Sequence, residues 1–145
     1  MEAFVVAPAG FLLAVLWFDL MFDTQVRRLP AADGAVASIS AYYRRVTTDA
    51  SPMNHLVSLA MVCTLIAVIV EISRDTGRWL GWASLAIGLA PMTLAGTRTV
   101  PRAVRLGTGT DAGPEQLTMA RRILVEHVFC FVAIASVIAL QLASA

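Results

Sequence analysis

Residues 123–142 read ILVEHVFCFVAIASVIALQL, twenty residues in which Glu126 and His127 are the only carboxylate and the only basic side chain. A helix that crosses a bilayer needs about 20 mostly apolar residues. This stretch therefore reads as a membrane span that carries its two charges at its entry. Working back along the chain, three more segments fit the same description: about 4–22, 53–72 and 79–96. Residues 1–145 then form a single membrane domain. The expected fold is all-α, a polytopic up-down bundle of four transmembrane helices with a short interfacial amphipathic helix at about 34–47.

Composition agrees. The chain is 58% hydrophobic and 14% charged, with a mean hydropathy of +0.74. A soluble domain carries roughly 25% charged residues. A net charge of +1 offers no electrostatic basis for binding nucleic acid. The lipid bilayer is the expected partner.

An up-down bundle of four spans places both termini on one side. The opposite side receives Arg27, Arg28, Arg44, Arg45, Arg98, Arg102, Arg105, Arg121 and Arg122. The terminal side receives Arg74 and Arg78, and the chain has no lysine. The positive-inside rule makes the arginine-rich side cytoplasmic. The long loops are then cytoplasmic and both termini external, in a multi-pass protein of a bacterial-type inner membrane. No basic residue precedes Arg27, so the first segment reads as a span and not as a cleaved leader.

The loop after the first span is patterned. Val36, Ile39, Tyr43 and Val46 recur at helical spacing, and Asp33 can cap the start. This predicts an amphipathic helix lying in the headgroup layer, with Tyr42, Tyr43, Arg44 and Arg45 meeting lipid. The other reading is a lid on the polar end of the bundle. Ser51 as N-cap and Pro52 in the first helical position start the second span. The turn Asp75-Thr76-Gly77-Arg78 makes the second and third spans antiparallel neighbours. Small residues fill the third, and Ser84 with Gly88 allows close helix approach. Pro91 is expected to kink it. Gly107, Gly109 and Gly113 predict a flexible loop from Pro101 to Gly113, and Gly113-Pro114 looks like the start of a helix. Cys63 and Cys130 stand singly within helices and read as packing thiols.

Connectivity brings the polar residues of the spans to one end. Asp19, Asp23, Asn54, His55, Arg98, Glu126 and His127 all fall at the cytoplasmic end of the bundle. Ionisable groups at membrane depth are costly and often mark function. Carboxylates and imidazoles from facing helices build metal sites in bundle cores. The candidate ligands are Asp19, Asp23, His55 and either Glu126 or His127, for iron, copper, manganese or zinc. Adjacent helical residues point about 100° apart, so Glu126 and His127 need not both face inward. Arg98 and Asn54 are candidates for holding a cofactor or an anionic substrate group. A second reading makes His55 and His127 axial ligands of a haem. The third is charge pairing at an interface: Arg122 with Glu126, Asp19 or Asp23 with Arg98, and both histidines with headgroups.

The chain has no Walker loop, dinucleotide glycine fingerprint or zinc-protease motif. It also lacks a nucleophile elbow, and no catalytic residue is assigned.

Two stretches carry a resemblance. Leu16-Trp17-Phe18-Asp19-Leu20-Met21-Phe22-Asp23 is similar to the aromatic and acidic end of the first helix in small, uncharacterised bacterial four-helix integral membrane protein families. Tyr42-Tyr43-Arg44-Arg45 through Pro52-Met53-Asn54 is similar to the lead into their second helix. Some members are described as anthrone-oxygenase-like. The resemblance implies a membrane oxidoreductase acting on a hydrophobic small molecule and assigns no site residues. The alternative is a non-catalytic subunit or scaffold, in a homo-oligomer or larger complex, docking a partner through Ser84 and Gly88. A small transporter ranks third, because the middle of the bundle offers little polarity beyond Ser58, Thr64, Ser84 and Thr93.

Overall fold

The computed structural model describes residues 2–27, 33–49, 51–74 and 79–143. The turn expected at 75–78, Arg28 and Arg78 lie outside the described residues, as do the capping side chains expected of Asp33 and Ser51. The described residues are helical almost throughout, with no strand among them. Helix α1 runs Glu2–Asp23 and ends in a tight turn, Thr24–Arg27. Helix α2 is Asp33–Arg44, followed by a wide π-helical turn, Arg45–Asp49. Helix α3 is Ser51–Arg74 and α4 is Trp79–Leu94. A second wide turn, Ala95–Thr99, joins α4 to α5, Val100–Thr108. Helix α6 is Gly113–Ala143. Four stretches are long and apolar enough to cross a membrane: Ala3–Arg27, Pro52–Arg74, Trp79–Thr108 and Gly113–Ala143. The chain is an all-α four-helix membrane bundle.

Each span buries one narrow stripe and leaves the rest of its surface for lipid. In α1 the stripe is Val5, Ala9, Leu12 and Asp23; in α3 it is Ala60, Thr64, Val68 and Ile72. In α6 it runs Ile123, His127, Cys130, Ile134, Val137 and Gln141. Steps of three and four residues keep a stripe on one helix face. The outward faces carry Phe4, Leu59, Ile66, Trp82 and Val132, all exposed. Lipid tails are as apolar as these side chains, so close packing and not hydrophobicity holds the bundle together. Small residues supply it. Ser84 and Gly88 of α4 are buried against α6 of the same chain. Ser84 accepts a hydrogen bond from Gln141, and a Cβ at Gly88 would lie 3.8 Å from Val137. The small-residue face proposed for a partner is thus filled from within.

The arginine-rich end departs from the sequence reading in two places. The expected loop after Pro101 is helix α5. Pro101 lies in its first turn. Gly109, at φ 66°, closes it in the left-handed conformation. The expected interfacial helix α2 is the lid of the bundle end. Its stripe of Val36, Ile39 and Tyr43 is buried, and Ile39 and Tyr43 pack with Val26, Ala103, Leu106, Ala120 and Ile123. Ser40 donates to the Leu106 carbonyl at 2.7 Å, satisfying one of the last carbonyls of α5. Gly107 makes the crossing possible: a Cβ there would stand 2.8 Å from the Arg44 backbone nitrogen. The apolar stripe therefore meets protein, not lipid.

Candidate functional site

Closing the lid brings Tyr42 and Tyr43 onto the polar end of the bundle. Tyr43 donates to Asp23 Oδ1 at 2.7 Å, and Tyr42 donates to Asp19 Oδ1 at 2.7 Å. His127 Nδ1 lies 2.7 Å from Asp23 Oδ2 and 3.3 Å from the Tyr43 hydroxyl. Its Nε2 lies 3.9 Å from Asp19 Oδ2. Asp23 is wholly enclosed and His127 is 7% exposed. Phe22 stacks on Tyr42 with ring centroids 4.0 Å apart, and Tyr42 meets Tyr43 edge-on. These contacts lock the hydroxyls in place.

Hydrogen-bond bookkeeping fixes the proton positions. The Tyr43 hydroxyl proton goes to Asp23, so with Asp23 ionised the Tyr43 oxygen and Asp23 Oδ2 are both acceptors toward Nδ1. A neutral His127 therefore carries its proton on Nδ1 and keeps a lone pair on Nε2. Burial raises the pKa of both tyrosines well above the usual phenol range. For Tyr42 the adjacent charge of Asp19, and for Tyr43 that of Asp23, adds to the shift. Both phenols stay protonated as donors.

This group stands at the wall of a cavity of about 300 Å³. Asp19, Tyr42, Tyr43 and His127 form its polar patch. Val15 and Phe18 of α1, Met53 and Val57 of α3, and Val100 of α5 are among its apolar walls, and Asn54 of α3 adds a further polar group. A narrower pocket of about 120 Å³ shares Asp19, Thr99 and His127 and leads inward past Met61, Met92, Cys130 and Ile134. Val46 and Thr47, from the first wide turn, and Thr99, closing the second, line the larger cavity. The first turns of α3, residues 52–56, are exposed throughout. Met53 and Asn54 of these turns line the larger cavity.

The sequence candidates separate. Asp19, Asp23 and His127 come together. Glu126 points about 100° away; it accepts from Thr99 at 2.9 Å and pairs with Arg102. Its partner is thus Arg102, not Arg122. His55 is exposed and lines neither cavity, so the two histidines do not face a common haem. Asn54 lines the larger cavity; Arg98 is exposed and lines a different groove, so it neither pairs with Asp19 or Asp23 nor reaches the cavity. The donor set does not suit a metal ion. Both Asp23 oxygens, one Asp19 oxygen and His127 Nδ1 already have hydrogen-bond partners. That leaves His127 Nε2 and one Asp19 oxygen facing each other with no third ligand. Among the described residues no group of three histidine, cysteine or carboxylate side chains is arranged to hold a metal.

Tyr42, Tyr43 and Thr99 were missed as site residues. A signal for one existed: Tyr43 lies on the apolar stripe of α2, the stripe that a lid turns toward the bundle.

No family model matches the chain, and neither a curated protein nor a solved structure matches it.

Proposed function

We propose that this protein is a membrane enzyme that moves a proton on a hydrophobic small molecule drawn from the bilayer. The observation that carries the reading is the His127–Asp23 pair, set with its Nε2 side toward Asp19 at the wall of an apolar cavity. A carboxylate on Nδ1 orients an imidazole, fixes its tautomer and stabilises the cation formed when Nε2 takes a proton. His127 is then the general base. The substrate X–H bond breaks, the Nε2–H bond forms, and the electron pair stays on the substrate. Asp23 and Asp19 flank the resulting imidazolium. Tyr43 holds Asp23 in place, and Tyr42 holds Asp19. Return of the proton to another atom completes an isomerisation with no change of oxidation state. The family resemblance adds an oxidoreductase outcome, in which the anion's electron pair forms a carbon–oxygen bond to dioxygen as co-substrate and the resulting peroxide anion takes the proton held on Nε2, leaving a hydroperoxide. The substrate is apolar over most of its surface, because a few polar groups at one wall orient a ligand that apolar walls bind.

The same reading places the arginine-rich end in the cytoplasm of a bacterial-type inner membrane, with both termini outside. The cavity then opens at the cytoplasmic leaflet.

The test uses anthrone, a hydrophobic carbon acid, with the full chain in lipid nanodiscs in anaerobic deuterium oxide. Mass spectrometry follows deuterium entering the methylene group. General base catalysis contributes about 10²–10⁴-fold, and that acceleration should vanish in His127→Gln and persist in His55→Gln. Equal exchange with wild type and His127→Gln would sink the assignment.

A further inference from the structure

A groove of about 480 Å³ runs along the outer side of α5 and α6, distinct from the cavity above. Its walls are Arg98 on the second wide turn, Arg102 on α5, and Thr118, Arg121 and Arg122 on α6. A second groove continues it past Arg105 and Pro114, sharing Arg102, Thr118 and Arg122. The only carboxylate in the first groove is Glu126, already held by Arg102 and Thr99. Asp111 is likewise held by Arg105. Among the described residues, no carboxylate forms an ion pair with Arg98, Arg121 or Arg122, and all three are exposed. Three guanidinium groups thus line one groove with a hydroxyl and without an ion pair, while the exposed Glu115 lines the second groove, where its charge acts on Arg105.

Depth decides what kind of anion fits. Arg121 and Arg122 immediately precede the apolar run of α6, so the groove lies at the headgroup level. Directly beneath, Val125, Phe129 and Val132 fall on one face of α6 and are 68%, 47% and 59% exposed. An anion with acyl chains matches both parts at once: its phosphodiester meets the arginines and its chains lie on the apolar face. Guanidinium forks suit phosphate oxygens, and basic pockets between spanning helices hold anionic lipid headgroups. We propose that this groove is a binding site for an anionic phospholipid. Phosphate recognition is the shared chemistry with a free phosphate ion; the acyl face argues for the lipid. The proposal is independent of how the cavity is read.

The arginines of this end that lie elsewhere give an internal control. Arg44 and Arg45 are exposed and line neither groove. Native mass spectrometry of the full chain in detergent, titrated with equal amounts of dioleoyl phosphatidylglycerol and dioleoyl phosphatidylcholine, reads the preference directly. Wild type should retain the anionic lipid about tenfold over the zwitterionic one. R98Q/R122Q should lose that preference, while R44Q/R45Q, with the same change in charge, should keep it. The single variants R98Q and R122Q carry the test should the double variant misfold. Three results would each overturn the proposal: no preference in wild type, equal loss in the control pair, or complete displacement of the lipid by excess inorganic phosphate. The last would make the groove a free-anion site.

Discussion

Tyr43 and Asp23 stand 20 residues apart in sequence, and their oxygens meet at 2.7 Å in a wholly enclosed contact. One partner ends a membrane span and the other belongs to the lid. The hydrogen bond therefore ties the lid to the bundle and orients the carboxylate that holds His127. A lost donor at this point would affect stability and site geometry together.

The tie predicts an alkaline limit. Burial and the Asp23 charge hold the Tyr43 phenol far above its ordinary value of 10.0. The folded pKa exceeds the unfolded one. The stabilisation is therefore complete below the unfolded value and is lost as pH rises toward the folded one. In that window the unfolded chain releases a proton that the native chain keeps, and stability falls by about 1.4 kcal/mol per pH unit from this tyrosine. Thermal unfolding in detergent, followed above about pH 10, should show this decline. Tyr43→Phe should be less stable by about 1–3 kcal/mol at neutral pH and should have a shallower alkaline slope. Identical slopes in the two proteins would remove Tyr43 from the linkage.

The histidine tautomer is a second consequence. In wild type, neutral His127 should appear as the Nδ1–H form in nitrogen–proton correlation spectra of the side chain, with exposed His55 as the reference. Asp23→Asn replaces an obligate acceptor by a group that can turn its amide toward Nδ1. The Nε2–H form should then become populated. An unchanged tautomer in Asp23→Asn would mean that Asp23 does not set it.

The helices were legible in sequence because length and hydropathy mark a span. The inward stripe was not, because both faces of a span are apolar when the solvent is lipid. That is why Glu126 and His127 stayed open as alternatives. Only packing shows that His127 continues the line of Ile123, Cys130 and Ile134 while Glu126 turns toward Arg102. The pairing of Asp19 and Asp23 on one face followed from their spacing of four. The exclusion of His55 did not, since only the folded chain shows that its side chain is exposed and lines neither cavity. Helix α5 was hidden by Pro101, Gly107 and Gly109, which read as breakers. In place, Pro101 lies in the first turn, Gly107 gives room to α2, and Gly109 ends the helix.

Gly107 offers the sharpest test of the lid. A Cβ there would meet the backbone of Arg44 at 2.8 and 3.0 Å and that of Tyr43 at 3.2 Å. Backbone cannot yield as a side-chain tip can. Gly107→Ala should lower stability by about 1–3 kcal/mol. Amide exchange across residues 36–44 should rise while the spans stay protected. Unchanged exchange in that segment would show that α2 does not rest on α5.

The face of α4 separates internal packing from partner docking. At Gly88 a Cβ would make ordinary contact with Val137, 3.8 Å away. Gly88→Ala should therefore be tolerated. Gly88→Leu sends branched carbon into the seam between α4 and α6, where overpacking costs about 1–3 kcal/mol. Its effect should appear in the thermal unfolding of the isolated chain in detergent, at every protein concentration. A docking surface would behave differently. The isolated chain would keep its stability, and the loss would appear only as a change in assembly with protein concentration. Concentration-independent destabilisation of Gly88→Leu, beside a silent Gly88→Ala, would assign the small residues of α4 to the chain's own core.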